Sequence, residues 1–79
     1  MIEKLTSDVF FVYLQEGATL MSFKIFDRWG EKVHDGLYPW DGLYHGKPAA
    51  LGVYVYEANI HLVDLNIDVE RKGSVTLIR

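Results

Sequence analysis

The amino-acid sequence predicts an all-β fold, a small antiparallel β-sandwich, on three observations. Apolar residues recur at every second position over long runs, the pattern of strands buried on one face. Turns built on glycine separate those runs at short intervals. No segment of ten or more residues carries an apolar stripe at helical spacing. The 79 residues allow one domain, 1–79, with one thin core: a chain of this size buries only about 60% of the surface it exposes when unfolded.

The elements follow in order. Asp8 to Leu14 is a β-branched and aromatic run, Gly17 supplies a turn, and Leu20 to Asp27 forms the next strand. In Asp27-Arg28-Trp29-Gly30 the glycine can take the positive φ that closes a tight hairpin, and Glu31 to Asp35 returns as a short strand. Gly36 to Pro48 has turn composition with large aromatics (Tyr38, Trp40, Tyr44), so a packed loop plugged by Trp40 is expected. From Gly52 to Val63 the even positions Tyr54, Tyr56, Ala58, Ile60 and Leu62 face the core. After a turn at Asp64 to Asn66 the odd positions Ile67, Val69, Val75 and Leu77 form the second arm of a long hairpin. Arg71 and Gly73 interrupt that face, which predicts a bulge there or a glycine making room for an indole. Trp29, Tyr54, Tyr56, Val75 and Leu77 are expected to be buried, Trp29 on the turn that closes over the core. Short strands and glycine turns in so small a chain point to a sandwich of the immunoglobulin-like kind.

Composition narrows the function. The net charge is -3, with eight Lys and Arg scattered among eleven Asp and Glu, so the basic stripe of a nucleic-acid binder is missing and no nucleic-acid partner is expected. There is no cysteine for a disulfide or a thiolate metal site. Residues 1 to 10 hold no apolar run long enough for a signal-peptide core, and no stretch approaches the roughly 20 apolar residues of a membrane helix.

The residues that could carry chemistry have plainer readings. His34, His45 and His61 sit on different elements without the spacing of a zinc motif. Asp35 and Asp41 flank an aromatic loop, but two carboxylates act as a glycosidase only across a cleft, so turn formation accounts for them better. Neither Asp27 with Glu31 nor Asp64 with Asp68 has the dense ligand loop of a calcium site. Ser7, Ser22 and Ser74 lack a nucleophile elbow or a histidine at motif spacing. No catalytic, metal or cofactor site is expected: the chain reads as a non-enzyme without a small-molecule substrate. Trp29, Tyr38, Trp40 and Tyr44 could instead line a sugar-binding platform, against which stands their use as a plug for a thin sandwich. Lys47, Arg71, Lys72 and Arg79 could form a recognition patch for an anionic partner, against which stands the ordinary wet face of a sheet.

The string Phe23-Lys24-Ile25-Phe26-Asp27-Arg28-Trp29-Gly30-Glu31-Lys32-Val33 is followed by Trp40-Asp41-Gly42, Gly46-Lys47-Pro48, Gly52-Val53-Tyr54-Val55-Tyr56 and a closing Lys72-Gly73-Ser74-Val75-Thr76-Leu77-Ile78-Arg79. In order and spacing, across residues 20 to 79, this resembles the gliding-motility-associated C-terminal domain, the type B sorting domain of the type IX secretion system. Arg28, Trp29, Gly30, Trp40, Asp41, Gly42, Gly52, Tyr54 and Gly73 are the signature positions. A tryptophan-aspartate-glycine turn before a glycine-valine-tyrosine strand is also similar to the immunoglobulin-like domain of flagellar hook-capping proteins; the combination with the closing string is what distinguishes the two.

The resemblance implies an address. Cargo of this kind crosses the inner membrane by an export signal elsewhere, passes through the periplasm, and is carried across the outer membrane to the cell surface or the medium. The implied partners are outer-membrane components of the type IX machinery, chiefly the porin-like factor specific for such cargo, and the domain is expected to be a monomer. Residues 1 to 19 lack the Asn-, Pro-, Gly- and Asp-rich segment with which the family usually begins, so the chain reads as a piece excised from a longer exported protein. A carbohydrate-binding or adhesin-type β-sandwich module is the alternative, and a structural cap or spacer a third reading.

Overall fold

The computed structural model describes residues 2–6 and 9–78, with side chains from Phe10 to Ile78, Tyr13 apart. Among these residues every regular element is a strand, and every pairing is antiparallel. The strands are β1 (Ile2–Thr6), β2 (Val9–Tyr13), β3 (Ala18–Phe26), β4 (Lys32–Asp35), β5 (Leu43–Tyr44), β6 (Lys47–Pro48), β7 (Gly52–Leu62) and β8 (Ile67–Leu77). They form a four-stranded sheet in the order β4-β3-β7-β8, a two-stranded sheet β1-β2, and a short hairpin β5-β6.

The long hairpin is the frame. β7 and β8 pair over their full length without a register shift, from Gly52 with Leu77 to Leu62 with Ile67. Of the inward positions of β7, Tyr54, Tyr56, Ala58 and Ile60 are buried, as the alternation requires, and Leu62 at the strand's end is half-buried. On β8 only Leu77 is fully buried; Val69 and Val75 are half-buried and Ile67 is exposed. The reason is position: among the described residues β8 is an edge strand, flanked by β7 on one side alone.

β3 carries a bulge that explains its side-chain pattern. Leu20 pairs with Ile60 and Ser22 with Asn59, leaving Met21 as the extra residue. An unpaired residue shifts the period-two count by one, so the inward face moves from Ala18 and Leu20 to Phe23 and Ile25, both fully buried. β4 has its own bulge at Val33, since Ile25 pairs with His34 but Phe26 with Lys32.

β2 covers the inner face of the large sheet. The Phe10 ring lies 6.0 Å from Phe23 and 5.5 Å from Tyr56, and Phe11 meets Phe23 edge-on at 5.4 Å. Each such ring contributes about 1.5–3 kcal/mol on leaving water, and aromatic pairs at these separations add to that. Phe10 and Trp40 exchange two backbone hydrogen bonds of 2.8 Å, which stitches the loop after β4 to β2. Trp40 is buried and its ring lies 5.0 Å from Tyr54, so the expected plug is present.

The structure corrects several expectations. Trp29 is not buried but 78% exposed. The turn dictates this: the Asp27 carbonyl accepts from Gly30 N at 3.0 Å, and Asp27 Oδ1 accepts from the backbone of Trp29 and Glu31 at 2.9 and 2.8 Å. Held in that turn, the indole points to solvent, and Trp40 already fills the core at this end. No bulge occurs at Arg71–Gly73, and the ring beside Gly73 is the Tyr56 phenol rather than an indole. The Gly36–Pro48 loop contains the hairpin β5-β6, closed by His45 and Gly46 at φ 56° and 77°, the two positive values of a two-residue turn. The strand expected over Asp8 to Leu14 pairs with β1, which the sequence reading did not contain, and not with β3.

Candidate functional site

The signature residues fall into three structural groups. In the first, the β3–β4 hairpin brings Arg28 to the start of β7. A Cβ on Gly52 would lie 2.5 Å from Arg28 Nη2, and Gly52 has φ 138°, where only glycine is comfortable. The same guanidinium lies 5.1 Å from the centre of the Trp29 ring, so Arg28 is held between that exposed indole and the Gly52 backbone. Gly30, at φ 85°, closes the hairpin that makes this possible.

The second group is the loop around Trp40. Trp40 Nε1 donates to the Leu43 carbonyl at 3.0 Å, Asp41 Oδ1 accepts from Leu43 N at 2.9 Å, and the Gly42 carbonyl accepts from Ala49 N at 2.8 Å. Tyr54 donates its hydroxyl to the Ala50 carbonyl at 2.5 Å. Asp41 is therefore a turn residue, with its carboxylate used on the backbone. The third group is Gly73 with Tyr56: a Cβ on Gly73 would lie 2.7 Å from both the Tyr56 hydroxyl and Cε1.

The candidate basic residues do not converge. Arg71 and Lys72 are adjacent in sequence and so project to opposite faces of β8. Lys72 Nζ lies 3.4 Å from Glu70 and 3.9 Å from Glu57, so two carboxylates the sequence reading had not singled out neutralise it. Arg71 lies on the inner face opposite Ala58 and lines a groove of ≈ 140 Å³ with Leu14, Gln15, Ala18, Ile60, Leu62 and Val69. Lys47 belongs to the separate hairpin β5-β6. Arg79 lies outside the described residues.

The remaining polar candidates serve the fold. His34 is buried between Phe23 and Tyr38, and its Nε2 donates to the Tyr38 carbonyl at 2.9 Å. The His45 ring lies 4.0 Å from Tyr44 at a tilt of 47°, and His61 Nδ1 lies 2.7 Å from Asp68. Asp35 receives a 2.8 Å hydrogen bond from Lys32, which holds its carboxyl below the ordinary value. Tyr44 donates to Glu31, and that bond pushes the phenol up from its ordinary value. Ser22 accepts from Asn59 at 2.8 Å, Ser74 pairs with Val55, and Ser7 lies outside the described residues. Asp64 lies 3.7 Å from where a Gly17 Cβ would be. Among the described residues no three His, Asp or Glu side chains gather as metal ligands.

The four aromatics proposed as a sugar platform are also dispersed. Trp40 is buried and Tyr44 half-buried, whereas the exposed Trp29 and Tyr38 stand in the loops before and after β4. Compared with known proteins, the chain matches no family model, no curated protein and no solved structure.

Proposed function

We propose that this chain is a non-catalytic sorting domain, immunoglobulin-like in its sandwich, that directs an exported cargo across the outer membrane through the type IX secretion system. The observation that carries the reading is the contact between Arg28, Trp29 and Gly52. The resemblance singles out these three residues from two separate strings, and they meet at one end of the sheet. A chance likeness of short strings would not require them to touch. The pairing of Gly73 with Tyr56 joins the Gly-Val-Tyr-Val-Tyr string to the closing string in the same way.

On this reading the domain is a monomer while it passes through the periplasm, and outer-membrane components of the machinery, chiefly the porin-like cargo factor, recognise its folded surface on the way to the cell exterior. The test is fusion of the chain, with the family's upstream segment restored, to a periplasm-targeted reporter in a cell with type IX machinery. Surface or medium localisation of the reporter is expected. A reporter that stays in the periplasm sinks the sorting reading.

A carbohydrate-binding or adhesin module is the second reading, favoured by the exposed Trp29 ring. A lone indole whose face is shared with Arg28 offers a sugar half a platform, so this reading ranks below the first. Glycan-array binding lost in Trp29→Ala would reverse that order.

A further inference from the structure

β8 is the open edge of the four-stranded sheet. β7 holds one side of it over eleven residue pairs, and among the described residues no strand occupies the other. The opposite edge, β4, has four residues and a bulge. A long edge without proline or bulge presents its outward N–H and C=O groups at the spacing of a ladder, ready to pair with an added strand.

What such a strand would need is written in the side chains of β8. On the inner face, Val69 and Arg71 line the groove with Gln15 and the apolar Leu14, Ala18, Ile60 and Leu62, so an apolar side chain arriving beside Val69 would leave water. Among the described residues no carboxylate pairs with Arg71, whose Nη1 donates to the Glu70 carbonyl at 3.4 Å. Lys72, on the other face, already has Glu57 and Glu70. The inner face of the edge therefore carries an exposed cation with no carboxylate beside it among the described residues, next to the apolar Val69.

A second copy of the chain does not supply that carboxylate. Antiparallel pairing of two β8 strands sets residues of one face opposite each other, and the carboxylates of β8, Asp68 and Glu70, lie on the face away from Arg71, so no register of two copies supplies it, while the full-length register sets Lys72 opposite Lys72. Like charges directly opposite are destabilising.

We propose that the β8 edge binds an extended segment of another protein by strand addition, and that it selects alternating apolar residues with a single carboxylate facing Arg71. The proposal deepens the sorting reading by stating the chemistry of the recognised segment, and it rests on that reading for who carries the segment.

The probe is a nine-residue peptide, Val-Thr-Leu-Thr-Glu-Thr-Leu-Thr-Val, whose symmetric pattern suits either strand direction, titrated into the full chain by NMR and fluorescence polarisation. Expected are shifts and added hydrogen-exchange protection at β8 amides, and binding weakened about tenfold or more when lysine replaces the central glutamate. Arg71→Glu should reverse that preference, and Arg71→Gln, which keeps the fold without the charge, should abolish it. Shifts confined to other strands, a preference unmoved by Arg71→Glu, or β8 protection that rises with domain concentration alone would each overturn the proposal. Reporter export separates the two readings. Export without peptide binding at β8 removes the edge proposal and leaves sorting; β8 binding without export does the reverse.

Discussion

Tyr56 and Gly73 are directly opposed across β7 and β8, and the Tyr56 phenol occupies the space a Gly73 side chain would need. Alanine in a strand is ordinarily better than glycine by about 0.5–1 kcal/mol. Here the new Cβ would lie 2.7 Å from Tyr56 Cε1 and hydroxyl, and the ring is 1% exposed, so it has nowhere to swing. Overpacking of this kind costs about 1–3 kcal/mol, which outweighs the backbone gain. Gly73→Ala should therefore lower the thermal midpoint. Tyr56→Leu combined with Gly73→Ala should cost less than the sum of the two single changes, because the clash needs both partners. Strict additivity of the two would show that the pair does not touch.

The two tryptophans separate burial from bulk. Trp40→Ala removes a buried indole, its bond to the Leu43 carbonyl and its contact with Tyr54, a loss of about 3–5 kcal/mol. At ~4–8 °C per kcal/mol for a domain of this size, the melting point should collapse. Trp29→Ala removes an exposed ring and should stay within about 0.5 kcal/mol of the parent. Acrylamide quenching checks the assignment in the native state: strong in Trp40→Phe, which leaves Trp29, and weak in Trp29→Phe, which leaves Trp40.

Period-two alternation made β7 legible residue by residue, because a strand central to its sheet obeys burial on one face. The same rule was weaker on β8: an edge strand can leave Ile67 in water at little cost. Trp29 was misread because its turn was expected to close over the core, whereas Asp27 and Gly30 decide where its side chain goes. The β3 bulge left a visible trace, the three-residue step from Leu20 to Phe23 between inward positions. At the candidate site, the placement of Arg71 and Lys72 on opposite faces follows from adjacency on a strand. The pairing of Lys72 with Glu57 follows once the hairpin turn is placed, since Leu62 opposite Ile67 sets every later pair. What no local pattern carried was contact between distant segments, such as Arg28 against Gly52 or Phe10 bridged to Trp40.

Asp35 gives a pH-dependent test of the β4 hairpin. The hydrogen bond from Lys32 is the largest cause of its lowered value, with burial opposing and the charges of Lys32, Lys24 and His34 adding. A carboxyl whose folded value lies below its unfolded value contributes stability above the unfolded value and loses it as pH falls through the folded one. The contribution of Asp35 is thus present above about pH 3.8, its ordinary value, and disappears in stronger acid. NMR titration of the Asp35 carboxyl should show a midpoint below 3.8 that rises toward it in Lys32→Met. High salt should move the midpoint the same way, because both groups are exposed. An unchanged midpoint in Lys32→Met would mean the pair is not formed in solution.

Met21 allows the register of the sheet to be tested by deletion. It is the unpaired residue between Leu20, opposite Ile60, and Ser22, opposite Asn59, and its side chain is exposed. Removing it would let Leu20 and Ser22 pair in ordinary succession while Leu20, Phe23 and Ile25 keep their inward positions. The deletion should therefore leave a folded domain with a melting point within a few degrees of the parent. Deleting Lys24 is the control. It is also a single residue of β3, but it has a partner, Glu57, and its loss places Phe23 and Ile25 next to each other, so one of two fully buried side chains must leave the core or the strand must buckle. Loss of a buried residue of that size costs about 2–5 kcal/mol, a large part of the ~5–15 kcal/mol available to a small domain. Circular dichroism melts of the two deletions decide the matter. Equal destabilisation, or a Met21 deletion that unfolds, would show that β3 is held in a register other than the one described.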